Sequence, residues 1–90
     1  MDILELATLV SDELKIWWNP GLGNGGIWQC IFTHGDIRHN EIFLMGVWGG
    51  GKTPAEAVNQ YALKLRGETL IINDFKGRRE FDVPKTLKGV

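Results

Sequence analysis

Residues 41–67 read EIFLMGVWGGGKTPAEAVNQYALKLRG, an apolar run, a glycine-rich turn and an amphipathic stretch in succession. Gly46 to Thr53 satisfies G-x-x-x-x-G-K-[ST], the pattern of a phosphate-cradling loop between a strand and a helix. The residues that follow argue against that reading. Thr53-Pro54-Ala55-Glu56 is a capping box: Thr53 takes the N-cap, Pro54 the first helical position, where its missing N–H costs nothing, and Glu56 the third, from which it reaches back. Lys52 then lies outside the helix. A phosphate loop needs its Lys and Thr amides in the first helical turn, where free N–H groups and aligned dipoles meet the anion. A nucleotide hydrolase also needs a doubly wound parallel sheet, for which 90 residues are too few. No enzymatic activity and no cofactor are expected.

Composition bounds the rest. With 43% hydrophobic residues, the chain makes one domain over residues 1–90 that buries about 60–65% of its unfolded surface. One cysteine, Cys30, excludes a disulfide framework, and its neighbours Gln29, Ile31 and Phe32 suggest a buried strand thiol. Asp2 and Glu5 stand where a secretory signal carries basic charge, and no apolar run reaches the length of a membrane span, so a cytoplasmic location is expected. The net charge of −1 and pI of about 6.1 give the chain as a whole no attraction for nucleic acid. Its 12 glycines and 4 tryptophans fit either a binding surface or a small core built on Trp.

Outward from the quoted stretch, Asp2 to Trp18 reads as one amphipathic helix, with Ile3, Leu6, Val10, Leu14 and Trp17 at helical spacing and Asn19-Pro20-Gly21 as its stop. Leu22 to Gly26 is loop. Ile27 to Thr33 alternates as a strand, with Ile27, Gln29 and Ile31 on one face and Trp28, Cys30 and Phe32 on the other. Asn40 to Trp48 is apolar on both faces and reads as a second strand, joined to the first through a hairpin at His34-Gly35-Asp36. The helix from Pro54 to Arg66 turns Ala55, Val58, Ala62 and Leu65 inward and Glu56, Asn59, Gln60 and Lys64 outward, with Gly67 closing it. Thr69 to Asn73 and Arg78 to Val83 are two further strands, and Lys85 to Val90 is a frayed tail. The expected fold is α+β, in the order α-β-β-α-β-β: an antiparallel four-stranded sheet with two helices packed on one face. The opposite face then carries apolar side chains without cover, and predicts a homodimer, an exposed patch or a ligand surface.

Candidate chemistry is cationic and aromatic. Arg38 and His39 near the hairpin, Gly50, Gly51, Lys52 and Thr53 at the glycine-rich turn, Arg78 and Arg79 in the last turn, and the rings of Trp28 and Trp48 form the candidate ligand-binding set. Guanidinium forks, turn amides and stacking faces suit anions with planar bases. The more ordinary reading of the same basic groups is solvated hairpin tips beside Glu80 and Asp82. His34, Asp36, His39 and Glu41 lie within eight residues, but around a turn they diverge, and no metal site is assigned.

Two resemblances add to this. Residues 26–65, strands followed by G-x-G-x-T-P-x-E-A and a helix after an N-terminal helix, resemble the double-stranded RNA-binding domain. That family carries a basic cluster on the first turn of its second helix, matched here by Lys52 alone, with Glu56 where positive charge is expected. Thr53 to Ala62, Gly67 to Asn73 and Arg78 to Pro84 resemble small bacteriophage proteins that share a T-P-x-E-A-[IV]-x-x-Y-A helix, a G-[EK]-T-L-[IV]-[IF]-N strand and an R-R-E-F-x-V-P ending. The second resemblance carries no function of its own and implies phage origin; short non-enzymatic phage proteins often block or sequester a host component, so the expectation is a protein of the host cytoplasm whose free sheet face and glycine-rich loops bind a host or defence protein, or a nucleotide-like ligand. A nucleic-acid-binding module is the alternative.

Overall fold

The computed structural model describes all 90 residues. Helix α1 (Ile3–Val10) opens on a reciprocal capping box: the Glu5 amide donates to Asp2 Oδ1 at 2.9 Å, and the Asp2 amide to Glu5 Oε1 at 3.4 Å. It buries Ile3, Leu6 and Val10 and stops at Ser11, which turns left-handed at φ 52°. The long helix expected to Trp18 is therefore corrected. Leu14–Asn19 is instead strand β1, running antiparallel to β2 (Ile27–Phe32) with Leu14 opposite Phe32 and Trp18 opposite Trp28. Leu14 and Trp17 fit a helical stripe, but Ile16, Trp17 and Trp18 are β-formers, and a long-range partner in β2 decides between the two periods.

The hairpin expected at His34 does not form either. After β2 the chain turns into β3 (Gly35–Arg38), which leaves the first sheet and pairs with the two-residue β4 (Leu44–Met45) and with β6 (Thr69–Asp74). Of the strand expected over Asn40 to Trp48 only Leu44–Met45 forms; the chain bends at Asn40, whose Oδ1 accepts from the amides of Ile42 and Phe43, at 2.8 and 2.9 Å, and residues 46–48 are irregular. The chain then returns to β2 as β5 (Gly49–Gly51). Helix α2 (Pro54–Leu65) follows, and β7 (Gly77–Asp82) completes the chain's strands against β6. The fold is α+β with antiparallel sheets, but there are two of them, ordered β1-β2-β5 and β4-β3-β6-β7.

One cluster of 15 buried residues draws on both helices and both sheets, from Ile3 and Leu6 through Cys30, Phe32, Tyr61 and Leu65 to Leu70, Ile72 and Leu87. The chain end belongs to it. Rather than fraying, residues 85–90 dock: Leu87 is fully buried, the Ile3 amide donates to the Lys88 carbonyl at 2.8 Å, and Arg66 Nε donates to the Leu87 carbonyl at 2.7 Å. The uncovered face of the four-stranded sheet is polar, which corrects the apolar face expected there. Register puts Asp36, Arg38, Leu44, Ile71 and Glu80 on that side, and Ile71 is buried beneath charged neighbours. Exposed apolar side chains lie elsewhere, at Phe75 (94% exposed) and at Ile42 (84%) and Phe43 (60%) in the Asn40 turn.

Candidate functional site

The three glycines of β5 are explained by what lies on either side of them. A Cβ on Gly49 would fall on the Ala57 carbonyl and the Tyr61 amide, and one on Gly51 on Glu56 and, at 2.9 Å, the Ala57 amide. The backbone of α2 thus rests directly on the strand, closer than any side chain allows. Gly50 faces the other way, where a Cβ would lie 2.8 Å from the Trp48 ring and 3.3 Å from Ile27 Cδ1. Both faces of the strand are filled.

Its outer edge is nearly closed as well. The Thr33 amide donates to the Glu13 carbonyl at 2.9 Å, so residues 13 and 33 form a hydrogen-bonded pair. Alternation along the register then makes Lys15–Ile31 and Trp17–Gln29 hydrogen-bonded pairs too. Trp28 and Cys30 must therefore bond toward β5, where they meet Gly51 and Gly49, which leaves Trp48, Gly50 and Lys52 pointing outward. Lys64 Nζ donates to the Trp48 carbonyl at 2.7 Å, and the Lys52 amide donates to Glu56 Oε2 at 2.7 Å. Between these two caps, the N–H and C=O of Gly50 are the open pair of the strand.

They open onto a groove of about 530 Å³ lined by Ile27, Trp48, Gly50, Gly51, Lys52, Glu56, Gln60 and Lys64. Ile27 and Trp48 supply an apolar wall, and Lys64 lies 5.3 Å from the Trp48 ring centroid. The Lys52 ammonium makes no hydrogen bond or ion pair within the fold. Thr53 Oγ1 accepts from the Glu56 amide at 3.1 Å and serves as the N-cap. Glu56 thus reaches back one residue further than a capping box requires. Its carboxylate sits where a phosphate loop would hold its anion, so the G-x-x-x-x-G-K-T stretch carries its own counter-charge.

Of the candidate ligand-binding residues, the structure brings Trp48, Gly50, Gly51 and Lys52 together, with Thr53 beside them. It separates the others. Trp28 faces the α2 side of the sheet, in edge contact with Trp18 at 5.9 Å. Arg38 and Arg78 share Glu80 on the outer face of the second sheet. His39 is exposed, its amide donating to the Phe43 carbonyl at 3.0 Å. Arg79 has a structural role: its guanidinium donates to both Asp74 oxygens, at 3.0 and 3.2 Å, and to the Val10 carbonyl at the end of α1, at 2.8 Å. That contact holds the Asp74 carboxyl well below the usual range, at about 2. The sequence reading missed Ile27, Glu56, Gln60 and Lys64 as lining residues, although Glu56, Gln60 and Lys64 recur at i, i+4 and i+8 on one flank of α2.

Two reactive side chains are tied into the fold. Cys30 is buried, and burial pushes its thiol up to about 12. His34 lies apart from its sequence neighbours Asp36, His39 and Glu41 and joins Asp12 and Asp74. The Asp12 oxygens meet His34 Nδ1 at 2.8 Å and the His34 amide at 2.9 Å, and both Asp74 oxygens are held by Arg79. Every carboxylate oxygen in that cluster already has a partner.

These features define a two-sheet α+β protein with a polar groove along a glycine strand. No protein-family model, curated protein or solved structure matches the chain.

Proposed function

We propose that this chain is a non-enzymatic binding protein that blocks or sequesters a host component, as expected of the phage origin that the resemblance to small bacteriophage proteins implies, and that it holds an extended segment of a host protein in the groove beside β5. The observation that carries this reading is the open N–H and C=O pair of Gly50, set between an apolar wall of Ile27 and Trp48 and the unpartnered Lys52 ammonium. One residue of an extended chain satisfies such a pair by strand addition, and an acidic side chain next to it meets Lys52. A nucleotide-like ligand is less well served. Glu56 occupies the amide a phosphate would use, and the Trp48 ring lies close against Gly50, where a Cβ would come within 2.8 Å of it.

A nucleic-acid-binding module is the second reading, favoured by one observation. With β3 and β4 as an excursion, α1, β1-β2-β5 and α2 follow the order that the RNA-binding resemblance implies, with a helix lying on a three-stranded antiparallel sheet. Native mass spectrometry of the protein purified gently from its host cells separates these readings. A stoichiometric protein partner, lost in Lys52→Glu with the fold intact by circular dichroism, supports the proposal. Added mass of a few hundred daltons would replace it with a small ligand, and bound nucleic acid with steep salt dependence would replace it with the second reading.

A further inference from the structure

Two sheets have four edge strands, and three of them are protected against pairing along their length, β5 keeping Gly50 alone as an open residue. Strand β7 carries Arg78, Arg79, Glu80 and Asp82 along its six residues, β4 is two residues long, and β5 is capped by Lys64 and Glu56 on either side of Gly50. Strand β1 has no such device. It runs six residues as LKIWWN with one charge, without proline, glycine or positive φ, and in unbroken register with β2. Ile16 is 41% and Trp18 44% exposed on it. Since Lys15, Trp17 and Asn19 bond inward to β2, the N–H and C=O groups of Leu14, Ile16 and Trp18 point out from the free edge.

We infer that this edge pairs with the same edge of a second copy, antiparallel about a twofold axis through Ile16, joining two three-stranded sheets into one of six strands. The register follows from the outward groups. An axis through Ile16 sets Ile16 against itself and Leu14 against the partner copy's Trp18, so all three outward residues form hydrogen-bonded pairs. An axis through Trp17 would set Leu14 against Pro20, which has no N–H to give. The Ile16 register also places Leu14, Ile16 and Trp18 opposite apolar side chains, and Lys15 opposite the partner copy's Trp17, repeating the contact Lys15 makes with Trp17 in its own chain at 5.2 Å. A twofold axis normal to the sheet keeps these faces matched and is the self-complementary geometry of an isologous dimer. One strand per copy is a small interface, below about 1,200 Å² in total, and predicts micromolar association.

The test is self-crosslinking. The cysteine is placed on a Cys30→Ala background, because Cys30 is Ile16's own cross-strand partner and would capture the new thiol within the chain; in that Ile16→Cys variant the two thiols meet across the axis with Cα atoms about 5.5 Å apart, within disulfide reach. Under mild oxidation Ile16→Cys should form a covalent dimer at least tenfold faster than Trp17→Cys, which in this register faces Lys15. The parent should form none, because its thiol is buried. Sedimentation velocity on the unmodified protein should show dimer growing from micromolar to several hundred micromolar, and Trp18→Glu should abolish it. A parent that stays monomeric over that range, or a Trp17→Cys that crosslinks as fast as Ile16→Cys, overturns the inference.

Discussion

Tyr61→Phe removes one oxygen atom, and the structure says what it costs. The Tyr61 hydroxyl accepts a hydrogen bond from the Phe32 amide at 3.1 Å, in a site where Phe32 is fully buried and Tyr61 nearly so. Phe32 has the parity of Cys30, so its N–H points toward β5, but that ladder ends at the Gly49–Cys30 pair and leaves the N–H without a strand partner. Phenylalanine keeps the ring contact with Phe32, whose centroid lies 5.8 Å away, so the variant isolates the hydroxyl. A hydrogen bond is worth about 1 kcal/mol net, but stranding a buried donor costs about 1–3 kcal/mol. The upper half of that range is expected, since no backbone group or solvent can reach Phe32. In a chain of this length the loss corresponds to roughly 4–8 °C in Tm per kcal/mol. Urea unfolding followed by tryptophan fluorescence, with an unchanged m-value, measures it. A loss under about 0.5 kcal/mol would mean that the Phe32 amide finds another partner and that the assigned ladder parity is wrong.

The glycines give a contrast. Gly49→Ala should cost more than about 3 kcal/mol or prevent folding, because its Cβ meets α2 backbone, whereas Gly25→Ala, left-handed at φ 86° with nothing near it, should cost about 1–2 kcal/mol; chemical denaturation ranks the pair. Arg79 lowers the Asp74 pKa from 3.8 to about 2, so the contribution is complete above the unfolded value and is lost as pH falls from 3.8 toward 2. Acid unfolding of Asp74→Asn should lack that component, and an unchanged acid limb would refute it. Cys30 should react with a thiol reagent at neutral pH only at the rate of unfolding or of local opening, since burial holds it protonated. Fast labelling of native protein would show that the β2 core is open. Lys52→Ala should leave Tm unchanged, because its ammonium has no partner in the fold. Stabilisation of the parent by magnesium nucleotide, lost in this variant, would restore the phosphate-loop reading.

Short-range chemistry settled a good part of this protein from sequence. The Thr53 N-cap, the start of α2, the left-handed Gly67 at φ 73°, the alternation in β2 and the places of β6 and β7 all depend on residues within a few positions of one another. The placement of Lys52 outside the first helical turn is equally local, because Thr53 takes the N-cap. Contacts between distant residues decided the rest. Leu14 to Trp18 satisfies a helical and a strand period alike, and becomes strand because β2 supplies partners along its whole length. Asn40 to Trp48 satisfies a strand pattern but is divided between two sheets, one end bonded to β3 and the other leading to β2. No local signal says which edges remain open. The groove likewise joins Ile27, Trp48 and one flank of α2, and it exists because α2 lies on two glycines, Gly49 and Gly51, too small to hold it away. Sequence shows that a residue lacks a side chain; only the tertiary structure shows what has moved into the space.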